Sequence, residues 1–428
     1  MKKIFIRCVE FLKTNKVFVF VFVLFLFELF LRFYQIDQKN GFGYDQVDNA
    51  WAAKNIIVNH QFPLVGMVAK ENSNIYIGPA YYYFVAFFYW IFNLNPIASG
   101  VISGLTGLFS FWTIFFVVKK LFNIKVALIA VTINTFFLHA ILFDRAQWPV
   151  DFIPGVSLLI FYFLYKVITG DVKKLIPLAL LVGFSFSIHF TSIFFPIIII
   201  LSLPLFPRSR ETLRYILISL PLFLVWLLPN IIYQLGQKSA NSPFISYFNT
   251  YYHGFHLRRV MQITGDALIQ FDHYSISDSL LSFKFVAFPL FFLIFLYKSI
   301  ARKQLVFCYL VLLWFIVPWF IFATYKGEIS DYYFSINRFV VLFILSYFVF
   351  RIWDIKNVLP KILVVALFIC IIIGSFSKFI SYNDSGLAEK EKAVLIKINN
   401  GEVIKFQQGD SESYLYYYLM RQRGINVY

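Results

Sequence analysis

Charge is what this 428-residue chain has least of: Asp, Glu, Lys and Arg make up 14% of it against 60% hydrophobic residues, and the mean hydropathy is +0.73. So little polar surface cannot coat a water-soluble globule of this size, which leaves an integral membrane protein. Cysteine is scarcer still. Cys8, Cys308 and Cys370 fall in or beside apolar segments without metal-ligand spacing, so neither a disulfide framework nor a thiolate centre is expected. Acids are outnumbered 22 to 38 by Lys and Arg. In a soluble protein that excess would suggest nucleic acid. Here the basic residues gather in short gaps between apolar runs, as cytoplasmic loops require, and no nucleic-acid partner is expected.

What is present is apolar and aromatic, with 56 Phe and 27 Tyr, a composition suited to lipid-facing helices and interfacial belts but silent about function. Lys2, Lys3, Arg7, Lys13 and Lys16 precede an apolar run from Val17 to Leu31 that lacks a small-residue cleavage site, so an uncleaved first helix is expected. A helix needs about 20 apolar residues to cross about 30 Å of hydrocarbon with its backbone satisfied internally. That criterion gives about eleven spans, near 17–34, 97–118, 125–142, 152–168, 175–188, 190–206, 214–233, 283–298, 305–323, 334–351 and 361–378. The apolar stretch from Gly78 to Leu94 is short, begins Gly78-Pro79 and carries Tyr81 to Tyr83. Leaving it uncrossing puts the basic turns Lys119/Lys120/Lys125, Lys173/Lys174, Arg208/Arg210/Arg214, Lys298/Arg302/Lys303 and Arg351/Lys356/Lys361 together in the cytoplasm.

The expected protein is therefore an all-α, multi-pass plasma-membrane protein with a cytoplasmic N-terminus and an extracytoplasmic C-terminus. Residues 1–378 form a transmembrane core with a first outer loop at 35–96, a short one at Asp144 to Asp151, a large one at 234–282 and a last one at 324–333. Residues 379–428 form a small outer tail, with a strand expected at Val394-Leu395-Ile396 and a Tyr-rich helix near Tyr414 to Met420, suited to a capping or acceptor-side role.

Ionisable groups at membrane depth are costly, so their placement is informative. The first outer loop carries Gly43-Tyr44-Asp45-Gln46-Val47-Asp48-Asn49-Ala50-Trp51, whose apolar spacing predicts a surface helix with Asp45 and Asp48 on one face. Two readings are open: a solvated helix N-terminus, where Asp is favoured, or a reactive carboxylate pair. The second cluster is Asp144-Arg145-Ala146-Gln147-Trp148-Pro149-Val150-Asp151, squeezed between two helices. It is either a local ion pair of Arg145 with Asp144 or Asp151 that fixes the turn, or part of a site.

The order of these features resembles the C-superfamily (GT-C) glycosyltransferases, and within them the protein O-mannosyltransferase and aminoarabinose transferase branch. The features are an acidic outer helix, Gly78-Pro79-Ala80-Tyr81-Tyr82-Tyr83, a basic cytoplasmic turn, then Arg145 with Asp151. The likeness covers roughly residues 1–235. Where that branch usually has Asp-Glu, this chain has Asp45 followed by Gln46.

The resemblance implies a GT-C fold and an inverting transfer of one sugar from a polyprenyl-phosphate donor to a cell-envelope acceptor at the outer face. It gives Asp45 the role of catalytic base. Cations that would meet the departing phosphate are Arg145, Lys70, Arg258, Arg259 and Arg338. Arg258 and Arg259 read equally as a basic patch against anionic lipid headgroups. Asp48, Asp144 and Asp151 would shape the sugar pocket or hold Mg²⁺ or Mn²⁺, while His189, Glu71, Tyr332 and Tyr333 would line the acceptor side. Expected partners are the lipid-linked donor, membrane lipids and the acceptor. A transporter or flippase is the rival class, disfavoured because no internal repeat is evident and the ionisable residues cluster on one face. An inactive assembly partner is the third reading, kept open by Gln46.

Overall fold

The computed structural model describes residues 15–69, 73–237, 243–252, 254–272, 281–302, 304–382, 386–404, 407 and 409–425. Among them the fold is helical throughout, with only two isolated β-bridges, Val68 to Tyr76 and Tyr252 to Tyr325.

The first described helix, α1 (Lys16–Phe33), leads into a segment holding α2 (Tyr44–Val58) and α3 (Ala80–Ile91), and the chain re-enters the bundle as α4 (Ile97–Leu121). At 12 residues α3 is only about 18 Å long, too short to cross, as its Gly-Pro start and belt of tyrosines lead one to expect. Glycines let α4 lie close against the end of α1. A Cβ on Gly104 would sit 2.5 Å from the Phe33 ring, and one on Gly107 2.7 Å from the Arg32 side chain.

Next come α5 (Ile124–Phe136), α6 (Leu138–Phe143), a 3₁₀ turn at Pro149–Asp151 and α7 (Phe152–Ile168), then α8 (Leu175–Ser185), a 3₁₀ turn at Phe190–Ile193 and α9 (Phe194–Ser202). The expected 125–142 span is broken at Phe137, whose extended ψ of 130° ends α5. The short pair expected to meet at His189 is two helices, with His189 in extended backbone between them. After α9 follow α10 (Arg210–Leu224) and α11 (Leu228–Gly236), which bend by 50° where one straight span at 214–233 is expected. Described next are α12 (Pro243–Tyr251) and α13 (Leu257–Asp272), and the core closes with α14 (Leu281–Ala301), α15 (Leu305–Ala323), α16 (Arg338–Ile352) and α17 (Leu359–Ser381).

Among the described residues, five helices are long and apolar enough to cross a membrane by themselves, or six with the bent α10–α11 pair. The remaining expected spans are helical but shorter, broken or charged. The protein is a multi-pass membrane protein.

The tail forms α18 (Leu387–Asn399) and α19 (Ser411–Gln422). The strand expected at Val394-Leu395-Ile396 is the last part of α18: Leu387, Val394 and Ile398 recur at helical spacing and the intervening Glu and Lys residues favour helix. The Tyr-rich helix stands where it is expected. Tyr414 is buried, donates to the Leu94 carbonyl at 3.0 Å and meets the edge of Trp51 at 5.5 Å, so the tail shares a second core with α2 and α3.

Candidate functional site

The C-termini of α1 and α6 and the N-termini of α7 and α16 meet at one end of the bundle, where Arg32, Arg145 and Arg338 face Glu28, Asp144 and Asp151. Each is buried. Two of the arginines act on backbone. The Arg145 guanidinium donates to the carbonyls of Leu31 and Arg32, both at 2.9 Å, and of Tyr34 at 3.0 Å, while its own carbonyl accepts from Asn40 at 2.7 Å. Those carbonyls end α1, lack helical partners and carry the negative end of its dipole, so Arg145 caps the first helix. Neither local ion pair expected for Arg145 forms. Arg32 does the same for α5, donating to Asn134 and Thr135 carbonyls at 3.1 Å. It also binds Asp144 at 2.7 Å and lies 3.1 Å from Glu28.

Arg338 is different. Fully buried, its guanidinium lies over the Phe143 ring at 4.1 Å with its nearest carboxylate oxygen, on Asp144, 3.8 Å away. None of its nitrogens has a hydrogen-bond partner among the described residues. A desolvated cation without an acceptor is costly, and an anion is what would relieve it. Asp151 accepts from the Trp148 indole through one oxygen. Its other oxygen is unpartnered, and Arg338, Asp144 and Asp45 lie within electrostatic reach.

Asp45 and Asp48 lie one turn apart on α2, whose start is pinned to the second cluster. Gln46 accepts from the Gly43 amide at 2.9 Å and donates to the Gln147 carbonyl at 2.6 Å, and the Gln147 amide donates to Tyr81 at 2.8 Å. A Glu at position 46 could not make the second bond. Burial, and then the charge of Asp48, push the Asp45 carboxyl up to about 6. Asp48 is raised by burial against the opposing effect of Tyr82, whose hydroxyl donates to it at 2.5 Å.

The expected acceptor-side residues split. His189 meets the rings of Tyr332 and Tyr333 at 5.7 and 5.4 Å, and Tyr332 meets Trp148 at 5.0 Å, which joins this cluster to Asp151. Lys70 and Glu71 lie outside the described residues. Arg258 is exposed, and Arg259 is held by the Tyr325 carbonyl at 3.0 Å, by Gly327 and by Gln262 at 2.7 Å, so it fixes the 325–327 turn. Among the described residues no group of three or more His, Cys, Asp or Glu is placed to hold a metal ion. Glu28 and Arg32 are the residues that sequence reasoning passed over. The signal was an acid and a base four apart inside the first apolar run.

Residues 77–233 match the family model described as dolichyl-phosphate-mannose-protein mannosyltransferase. No curated protein sequence matches the chain. Among solved structures, the chain superposes on ArnT from Cupriavidus metallidurans bound to undecaprenyl phosphate with a TM-score of 0.57 at 11% identity, covering 96% of this chain and 76% of that one. The Archaeoglobus fulgidus oligosaccharyltransferase in its apo form gives 0.56 at 13% identity, covering 90% of this chain and 58% of its own. AglB from the same organism, in complex with an inhibitory peptide and a dolichol-phosphate, gives 0.53 at 12%, with 91% and 58% covered. The fold is that of the GT-C membrane glycosyltransferases, as the motif order implied.

Proposed function

We propose that this GT-C-fold membrane protein is an inverting glycosyltransferase that moves a sugar from a polyprenyl phosphate to a cell-envelope acceptor at the extracytoplasmic face. The observation that carries the reading is that the Asp45 carboxyl, pushed up by burial, and the Arg338 guanidinium, buried without a hydrogen-bond acceptor, both lie within electrostatic reach of Asp151.

Asp45 takes the proton of an acceptor hydroxyl as its oxygen attacks the anomeric carbon. The bond from that carbon to the phosphate oxygen breaks on the opposite side, inverting the centre, and the polyprenyl phosphate leaves with the electron pair. Arg338 neutralises the growing phosphate charge in a dry, fixed setting where one such group is worth most. Asp151 holds hydroxyls of the transferred sugar, Asp48 stands on the acceptor side, and Arg145 acts by fixing the end of α1 rather than by touching phosphate. Were the reaction to need Mg²⁺ or Mn²⁺, Asp48 and Asp151 would supply oxygen ligands, and chelation followed by metal replenishment tests that dependence. The N-terminus is cytoplasmic and the tail is outside in this orientation, which places the basic turns within.

The test uses the full chain in nanodiscs with radiolabelled polyprenyl-phosphate sugars and extracted envelope. Wild type transfers label and Asp45→Asn does not, with the melting transition retained. Normal transfer by Asp45→Asn overturns the assignment of the base. Carrier translocation without transfer overturns the enzyme in favour of a flippase.

A further inference from the structure

Between α2, the loop at 59–63 and the tail lies an open groove of about 450 Å³, in the size range of small-ligand sites. Asp48, Trp51, Ala52 and Asn55 line it from one face of α2, Gln61, Phe62 and Pro63 from the loop, Tyr82 from α3 and Gly409 from the tail. The α2 stripe continues back to Asp45, three residues before Asp48. Asp45 and Asn55 are thus about 15 Å apart along one face of the helix.

We infer that this groove binds the saccharide portion of the acceptor and delivers its terminal hydroxyl to Asp45, an inference that rests on the transferase reading. The wall chemistry favours a sugar. The carboxylate of Asp48 only accepts, while the Asn55 and Gln61 amides both donate and accept, which matches hydroxyls that also do both. Phe62 is 65% exposed and offers an uncovered ring face for the apolar side of a pyranose. A peptide acceptor is less well served. Most of one wall is helix, whose backbone groups are paired internally, so no strand edge awaits an extended chain.

Trp51 is buried in that wall and donates to the Asp410 carbonyl at 3.3 Å, tying the tail to α2 where Gly409, at φ +88°, turns past the groove. The tail therefore belongs to the acceptor side.

The experiment is saturation-transfer-difference NMR on the full chain in nanodiscs, with two probes: oligosaccharides released from envelope by mild acid, and peptides released from it by protease. Saccharide ring protons should saturate, and Asn55→Ala, Gln61→Ala and Phe62→Ala should each weaken the signal at least fivefold with unchanged melting. Absence of saccharide saturation overturns the inference, as do saturation indifferent to all three variants and peptide binding that depends on Phe62. Asp45→Asn should keep saccharide binding while losing transfer. A wild-type chain that binds saccharide through these residues but never transfers sugar refutes the transferase reading and leaves the groove standing.

Discussion

Replacing Asp45 by Asn should abolish transfer and at the same time make the folded protein more stable. The carboxyl ordinarily titrates at 3.8 and is held at about 6 here. A difference of about two pH units corresponds to about 3 kcal/mol of preference for the protonated form, and partial exposure reduces this to roughly 1–2 kcal/mol. The sign follows from proton binding. Between pH 4 and 6 the folded state holds this proton and the unfolded state releases it, so this contribution favours folding below pH 4 and is lost as pH rises through 6. Asn carries no such dependence.

The measurement is the melting midpoint of both proteins in nanodiscs at one scan rate from pH 4 to 8. The Asn variant should gain over wild type from pH 4 to 6 and keep a constant advantage of a few degrees above that. Transfer by wild type should fall as pH drops below 6, because the base must be unprotonated. A variant less stable than wild type at pH 7, or a gap that does not change with pH, refutes the account of Asp45 as a charge held under desolvation.

Arg338→Gln should lower transfer by 10²- to 10³-fold with raised donor KM and little loss of stability, since no hydrogen bond in the described structure is broken; steady-state kinetics in nanodiscs decide it. Asp144→Asn should cost about 3–5 kcal/mol by leaving Arg338 buried without its counter-ion and Arg32 with Glu28 alone, read as a large fall in melting midpoint and in yield. Gln46→Glu, which restores the acid usual in the resembling branch, should destabilise by about 1–3 kcal/mol and fail to raise transfer, because it sets a carboxylate against the Gln147 carbonyl; thermal melting and kinetics measure both. Arg145→Lys should not rescue the stability lost in Arg145→Ala, since an ammonium cannot span the carbonyls of Leu31, Arg32 and Tyr34 together; the two melting curves should nearly coincide.

Local spacing made α2, α3 and α19 legible, because each is set by an amphipathic face or a Gly-Pro start that neighbouring residues carry. The pairing of Asp45 with Asp48 was legible for the same reason. What Arg145 binds was not, because its partners are carbonyls more than a hundred positions earlier and every residue type has one. Arg338 could be marked as a buried charge, yet its lack of an acceptor is a property of the packed structure alone. The break at Phe137 escaped since an apolar run reads the same whether or not its backbone is continuous. The 394–396 segment misled because a run of β-branched and aliphatic residues carries strand propensity that the helical spacing from Leu387 to Ile398 overrides.

The Glu28 to Arg32 contact has a consequence for how the protein is made. Arg32 enters the bilayer region with the first helix, yet Asp144 is synthesised 112 residues later. At ribosomal rates that is a wait of roughly 6 to 22 s. A lone charge costs roughly 3 kcal/mol to insert at a helix centre and less towards an end, where Arg32 stands. An acid one turn away supplies a temporary counter-ion on the same helix, so the first segment can settle in lipid before its permanent partner exists. When the turn after α6 arrives, Asp144 takes one face of Arg32 and Arg145 closes over the carbonyls of α1. The end of the first helix is thus locked by residues translated about a third of the way along the chain, and a truncation ending before Asp144 should insert but leave that end unanchored.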